Sequence, residues 1–287
     1  MFGPLRVPFA AVFAGCVIPD VPWIIKRLVY MTDIPFEPIS ASAYFIAQAS
    51  LVGCLLSCVA FGFLFTNFKR VAAFAFLGCL VHLSLDALQD KWGNGVHLIA
   101  PFDWEILSLG VFQLDSVFAY LLTISGIIPF LFIIKARQDA RLLCLVPLRL
   151  AACCICLFAY FLIPLLFIND VVASNSRYLQ TLANRDDRRG QFLELDREKV
   201  SVTGDTWHTT THVGETLMIA NPDAQLADGG TYSFRAEFVD EREIKVIDWK
   251  RHSGMRDIAS YAGLMGIGCW MIMVLILSKR LNTAAAE

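Results

Sequence analysis

Six stretches of this chain stay apolar for close to the thickness of a bilayer, near residues 7–25, 43–66, 71–88, 111–134, 148–168 and 258–278. A hydrocarbon core takes about 20 apolar residues to cross as a helix, because every backbone N–H and C=O must find its partner inside the segment. The pattern predicts a multi-pass α-helical membrane protein of about six transmembrane helices. With 56% hydrophobic residues over 287 positions, the chain is too apolar for an ordinary soluble domain. The third stretch is the weakest of the six, being short and carrying two ionisable groups. A re-entrant path there would invert every later assignment.

Lys and Arg set the orientation. Lys69 and Arg70 follow the second stretch, Lys135, Arg137, Arg141 and Arg149 follow the fourth, and Lys279 and Arg280 follow the sixth. All fall on one side under a six-span count, and a basic excess marks the cytoplasmic face. Both termini are therefore expected on the cytoplasmic side of a cell membrane and residues 169–257 outside. Lys26, Arg27 and Lys91 run against this assignment.

Residues 169–257 hold just over half of all charged residues in less than a third of the chain. FLELDREKVSVTG, ETLMIA, TYSFRAEFV and EIKVIDW alternate apolar and polar residues with period two, punctuated by Gly204, Gly214, Gly229 and Gly230. A small extracytoplasmic all-β domain, an antiparallel barrel or sandwich of about five strands, is expected between the last two helices. Residues 171–189 read as a helical extension of the fifth span. The chain thus divides into a membrane domain over 1–168, a water-facing domain over 169–257, and a last helix with a short tail over 258–287.

Net charge is near zero, 24 basic against 26 acidic residues, so no electrostatic argument points to nucleic acid. The nine cysteines lie in or beside apolar segments, which argues against a disulfide framework or a cysteine-bound zinc in the water-facing domain. FAGC at 13–16 imitates a lipobox, but the residues after Cys16 stay apolar, and an uncleaved first helix is expected. His208 and His212 in WHTTTHVGE would stand about 13 Å apart along a strand, too far to share an ion unless a turn intervenes. No phosphate-binding glycine loop, nucleophile elbow or nucleotide fingerprint is present, so no organic cofactor is indicated.

The chemistry concentrates in VAAFAFLGCLVHLSLDALQ, where His82 and Asp86 stand four apart and so share one helix face. Ionisable groups at membrane depth cost about 2.5–3.5 kcal/mol each on insertion scales and mark a site by default. The same spacing also suits a plain hydrogen-bonded pair between packed helices, worth on the order of 1 kcal/mol. Asp20, beside two prolines at the end of the first span, falls at the same membrane face in the six-span topology, as do Asp90, His97 and Asp115. Asp20 and Asp115 have a second candidate role as helix caps. Trp92 and Trp104 read as interface anchors.

HLSLDALQ at 82–89, followed by GVHLIAPF at 95–102 and preceded by Pro19-Asp20, resembles the LexA-binding, inner-membrane-associated hydrolase family, the membrane-bound metal-dependent hydrolases. The resemblance covers residues 10–120, and Asp115 matches that family's further aspartate. It implies a metal site of Asp20, His82, Asp86 and Asp115, with His97 as a substitute ligand where the family commonly has proline. The chain departs from the family in lacking the Thr-His-Ser sequence that opens the second helix. Gln48 and Ser50 stand there instead, and residues 1–15 hold no histidine.

Nitrogen and carboxylate donors suit zinc, manganese or iron. The implied chemistry is metal-assisted hydrolysis, with Asp90 taking the proton from a bound water, on a phosphoester or on a lipid-linked substrate reached from the bilayer. The missing histidines support a second class: a non-catalytic membrane protein whose outer β domain binds a protein or envelope partner.

Overall fold

The structure, a computed structural model, describes residues 9–32, 36–135 without the side chains of 128–135, 146–223 and 226–253, with scattered positions between 263 and 272. Among these, three helices are long and apolar enough to cross a membrane: Phe9–Tyr30, Phe68–Leu88 and Pro147–Ser174. A fourth is counted if Pro38–Gln48 and Leu51–Phe63, bent by 61°, form one span. Among the described residues, three to four spans stand against the expected six.

The reasons are local. The 43–66 stretch breaks at Ala49 and Ser50, where Ser50 takes extended backbone and its Oγ accepts the Gly53 N–H at 3.3 Å, starting a new helix. The fourth expected span begins late. Its helix runs Val117–Lys135, and the described apolar part reaches only from Val117 to Ile127. The 258–278 stretch lies almost wholly outside the described residues.

The helices are α1 (Phe9–Val17), α2 (Val21–Tyr30), α3 (Pro38–Gln48), α4 (Leu51–Phe63), α5 (Phe68–Leu88), α6 (Val117–Lys135), α7 (Pro147–Leu162), α8 (Ile168–Ser174) and α9 (Leu179–Ala183). Between α1 and α2, Ile18–Asp20 tighten into a 3-10 turn, since Pro19 and Pro22 remove two backbone donors. Glu37 caps α3, its carboxylate accepting the N–H groups of Ile39 and Ser40 at 3.0 and 2.6 Å.

Small residues bring α1, α4 and α5 together. A Cβ on Gly15 would stand 1.8 Å from the Ala75 carbonyl oxygen, and one on Gly78 would stand 2.2 Å from that of Val12. Lipid supplies no hydrophobic drive between helices, so close backbone approach is what holds such a pair. Cys58, Cys79, Ala75 and Cys54 fill the rest of this seam. Outward, α5 exposes Leu77, Val81 and Leu85, and α7 exposes Ile155, Phe158 and Phe161, the apolar surface a bilayer solvates.

The expected β domain is present. Strands β1 (Phe192–Thr203), β2 (Thr206–Thr210), β3 (Thr216–Ile219), β4 (Thr231–Asp240) and β5 (Glu243–His252) close into a barrel in the order β1-β2-β3-β5-β4. All pairings are antiparallel except the short parallel one between β3 and β5, so the sheet is mixed rather than purely antiparallel. Alternate residues such as Leu193, Leu195, Phe234, Phe238 and Ile244 fill its interior. The helical extension ends at Ser174, and the next stretch makes only α9 and a 3-10 turn before β1.

The barrel rests on the helices. Its core is continuous with Leu179 and Leu182 of α9, Val171 of α8, Ala43 and Ala47 of α3, and Trp104 of the segment after α5. Residues 89–116, which join α5 to α6, run along this junction with only two isolated bridges, Gln89 to Phe112 and Val96 to Leu107.

Candidate functional site

Asp20, His82 and Asp86, distant in sequence, meet at the end of the α1–α5 pair. The proline-tightened turn delivers Asp20, and the helical spacing of α5 delivers the other two. His82 Nε2 lies 3.6 Å from an Asp20 oxygen and 3.7 Å from an Asp86 oxygen. Asp86 is itself held on both oxygens, by the Gln89 amide at 2.9 Å and by the Lys91 ammonium at 3.2 Å.

These groups line a cavity of about 80 Å³ between the helices and the barrel. The membrane side contributes Asp20, Trp23, Lys26, Ser42, His82 and Asp86, and the loop after α5 contributes Gly93–His97. The barrel side contributes Glu194, Asp196 and His212. Gly93 holds the junction tight. It has φ of 64°, and a Cβ there would stand 2.3 Å from the Glu194 carbonyl oxygen. A bulge in β1 between Leu195 and Glu198 turns Asp196 toward the cavity, with Arg197 in the left-handed region at φ 61°.

Of the residues singled out from the sequence, His97 joins Asp20, His82 and Asp86 in lining this cavity. Its Nδ1 faces the Trp104 carbonyl at 2.7 Å, and burial holds its pKa below the usual histidine range. Asp90 and Asp115 are placed elsewhere. Asp90 is paired with Lys250 of β5. Asp115 contacts His252 Nδ1 at 3.0 Å and accepts the Ser253 hydroxyl at 2.9 Å. Burial pushes the Asp115 carboxyl up, but these partners outweigh it and hold the pKa below the ordinary value.

The sequence reading missed the polar groups that the barrel and α2 bring to the cavity. Lys26 is 7% exposed, and its ammonium donates to Ser42 Oγ at 2.8 Å and stands 5.3 Å from the centre of the Tyr30 ring. His212, dismissed as a metal ligand through His208, belongs to another pair. Its Nδ1 is 3.2 Å from a Glu198 oxygen, and its backbone N–H donates to the other at 2.7 Å. His208 instead faces Thr206 Oγ1 at 2.9 Å. Glu198 is 4% exposed, and burial pushes its carboxyl up to about 8, beyond what the His212 N–H offsets. A Glu after a bulge and a Lys in the second turn of a short helix carry no local signature. Only the closed barrel juxtaposes them.

Among the described residues, no group of three or more His, Cys, Asp or Glu side chains is placed to hold a metal ion. Asp86 gives the reason: Lys91 brings positive charge to the oxygen that faces His82, and Gln89 takes the other. As arranged, the donors do not fit an ion, and what they form is an imidazole between two carboxylates. Such an imidazole is oriented by its acidic neighbours, the arrangement of a proton acceptor. No family model, curated protein or solved structure matches the chain.

Proposed function

We propose that this chain is an integral membrane hydrolase whose centre is the cavity between helices and barrel, acting on the headgroup of a lipid or lipid-linked substrate. The observation that carries this reading is the convergence of Asp20, His82 and Asp86, the residues on which the family resemblance rests, at one wall of the cavity between helices and barrel. In this reading His82 takes the proton from an attacking water, while Asp20 and Asp86 orient the imidazole and offset the charge it gains. No step is assigned to a metal. The barrel lies on the extracytoplasmic side and excludes bulk water from the centre.

The test is turnover by protein purified in detergent and returned to lipid, with phospholipids and lipid phosphates offered as substrates and the released headgroup or phosphate quantified. His82→Ala and Asp20→Asn are expected to lower turnover by about 10²–10⁴, the usual contribution of a positioned acid or base. Turnover absent from the wild type, or unchanged in both variants, overturns the reading in favour of a non-catalytic binding protein on the same scaffold. Metal analysis of the same preparations separates the two chemistries. About one equivalent of zinc, manganese or iron that vanishes in His82→Ala would mean that Lys91 yields Asp86 to an ion.

A further inference from the structure

The cavity has a second wall, opposite in character to the first. Each carboxylate that lines the cavity has a partner: Asp20 and Asp86 share His82, Asp86 also has Lys91, Glu194 has Arg177 and Arg235, and Asp196 accepts Ser233 Oγ and Asn94 Nδ2. Lys26 does not. Among the described residues its ammonium has one hydrogen-bond partner, the neutral Ser42 hydroxyl, and no carboxylate within ion-pair distance. Buried ammonium groups are paired with an anion or they lose their proton, so a retained charge calls for a negative partner in the space it faces.

His212 stands beside it on the barrel. Glu198 is its partner there, and burial pushes that carboxyl up to about 8 while the nearby Lys26 charge draws it down. A protonated Glu198 donating to His212 Nδ1 puts the imidazole hydrogen on Nε2, free to donate. A water needs about 10–15 Å³ by the measure that gives this cavity about 80 Å³, so a tetrahedral oxyanion with a few waters fits between the two walls.

From this arrangement we infer that Lys26, Ser42 and His212 bind the phosphoryl group of a lipid headgroup and hold it against His82. The inference rests on the proposed hydrolase reading for its geometry, and it narrows the substrate from esters in general to phosphate-bearing lipids. His212 is a positioning and specificity group supplied by the barrel, so the barrel takes part in recognition as well as shielding.

The experiment measures binding to the full-length protein in detergent micelles by calorimetry, using inorganic phosphate in one arm and short-chain phosphatidic acid in the other, with short-chain diacylglycerol, which lacks the phosphoryl group, as control. Phosphatidic acid is expected to bind at least tenfold more tightly than inorganic phosphate. Lys26→Met is expected to weaken both at least tenfold, and His212→Gln several-fold. His212 is solvent-facing on a barrel loop, so its variant keeps the test valid if Lys26→Met fails to fold, and Lys26→Arg is expected to retain most binding. Equal affinity in the two arms supports the phosphoryl site and assigns it to a soluble phosphate. No binding of either probe, binding that His212→Gln leaves unchanged, or equal binding of diacylglycerol overturns the inference. Phosphate binding without any turnover would sink the hydrolase reading alone. Turnover of carboxylic esters without phosphate binding would sink this inference alone.

Discussion

The guanidinium of Arg235 lies 4.5 Å from the centre of the Trp92 ring, and the ammonium of Lys250 lies at the same distance. Trp92 sits in the loop after α5 and both cations belong to the barrel, so this one ring, 3% exposed, fastens the cavity's two halves together. Contacts of this kind are worth about 0.5–2 kcal/mol each, and truncating a buried Trp costs about 3–5 kcal/mol. Trp92→Ala is expected to lose stability in that range and to make the 89–116 loop cleavable by limited proteolysis while the barrel stays resistant. An unaltered cleavage pattern would show that the junction is held elsewhere.

Glu198 makes stability depend on pH. Its folded-state pKa of about 8 lies above its ordinary value, so the folded chain holds a proton that the unfolded chain releases from about pH 4.5 upward. Stability is thus fully present below pH 4.5, declines as pH rises toward 8 and is flat above it, by an amount on the order of 4 kcal/mol. Glu198→Gln keeps an acceptor for the His212 N–H and removes the titration. Its thermal midpoint is expected to exceed that of the wild type at pH 8–9 and to match it near pH 5. A slope that survives in the variant would assign it to another group.

Arg188, in the turn before β1, is 1% exposed and grips Glu215 with two bonds of 2.6 and 2.9 Å. It also donates to the carbonyls of Thr181, Leu182 and Glu241, so one side chain joins α9, the β2–β3 turn and the end of β4. Removing one member of a buried charge pair costs about 3–5 kcal/mol. Arg188→Met is expected to lower barrel stability by that much, and Arg188→Met with Glu215→Gln by less than the sum of the singles. Strict additivity in chemical denaturation would contradict the pairing.

Gly78 and Gly15 predict a different failure. A Cβ at either site meets backbone of the facing helix, so the helices must move apart. Overpacking of this kind costs about 1–3 kcal/mol. Gly78→Val is expected to lower the detergent-unfolding midpoint and to separate Asp20 from His82. Measured turnover should then fall with the barrel's own unfolding transition unchanged.

Half of the site was legible in the sequence, for a definite reason. His82 and Asp86 declare themselves because charge is rare inside an apolar helix, and Pro19-Asp20 because proline must end or tighten one. The alternation of TYSFRAEFV and EIKVIDW likewise gives strands directly, since a two-residue period has no helical reading. Apolar length, by contrast, overcounts spans: the stretch over 43–66 is long enough to cross, yet the Ser50 cap bends it by 61°. The wall of Lys26 and His212, with Glu198 against His212, is written in no local pattern. It exists because a bulge in β1, a turn after β2 and a short helix in the membrane domain end at one point, and such coincidences belong to tertiary structure.

The barrel's closure has one thin place. Only Met218 with Glu243 and Ile219 with Ile244 pair across β3 and β5, whereas β4 and β5 are paired along nearly their whole length. A ring fastened so unevenly opens where it is narrowest. Amide hydrogens of Met218 and Ala220, which donate across that gap to Arg242 and Ile244, would exchange with solvent ahead of those in β4. His212 lies on the turn leading into β3, so the same breathing would carry it off the cavity and open a path into it through the barrel.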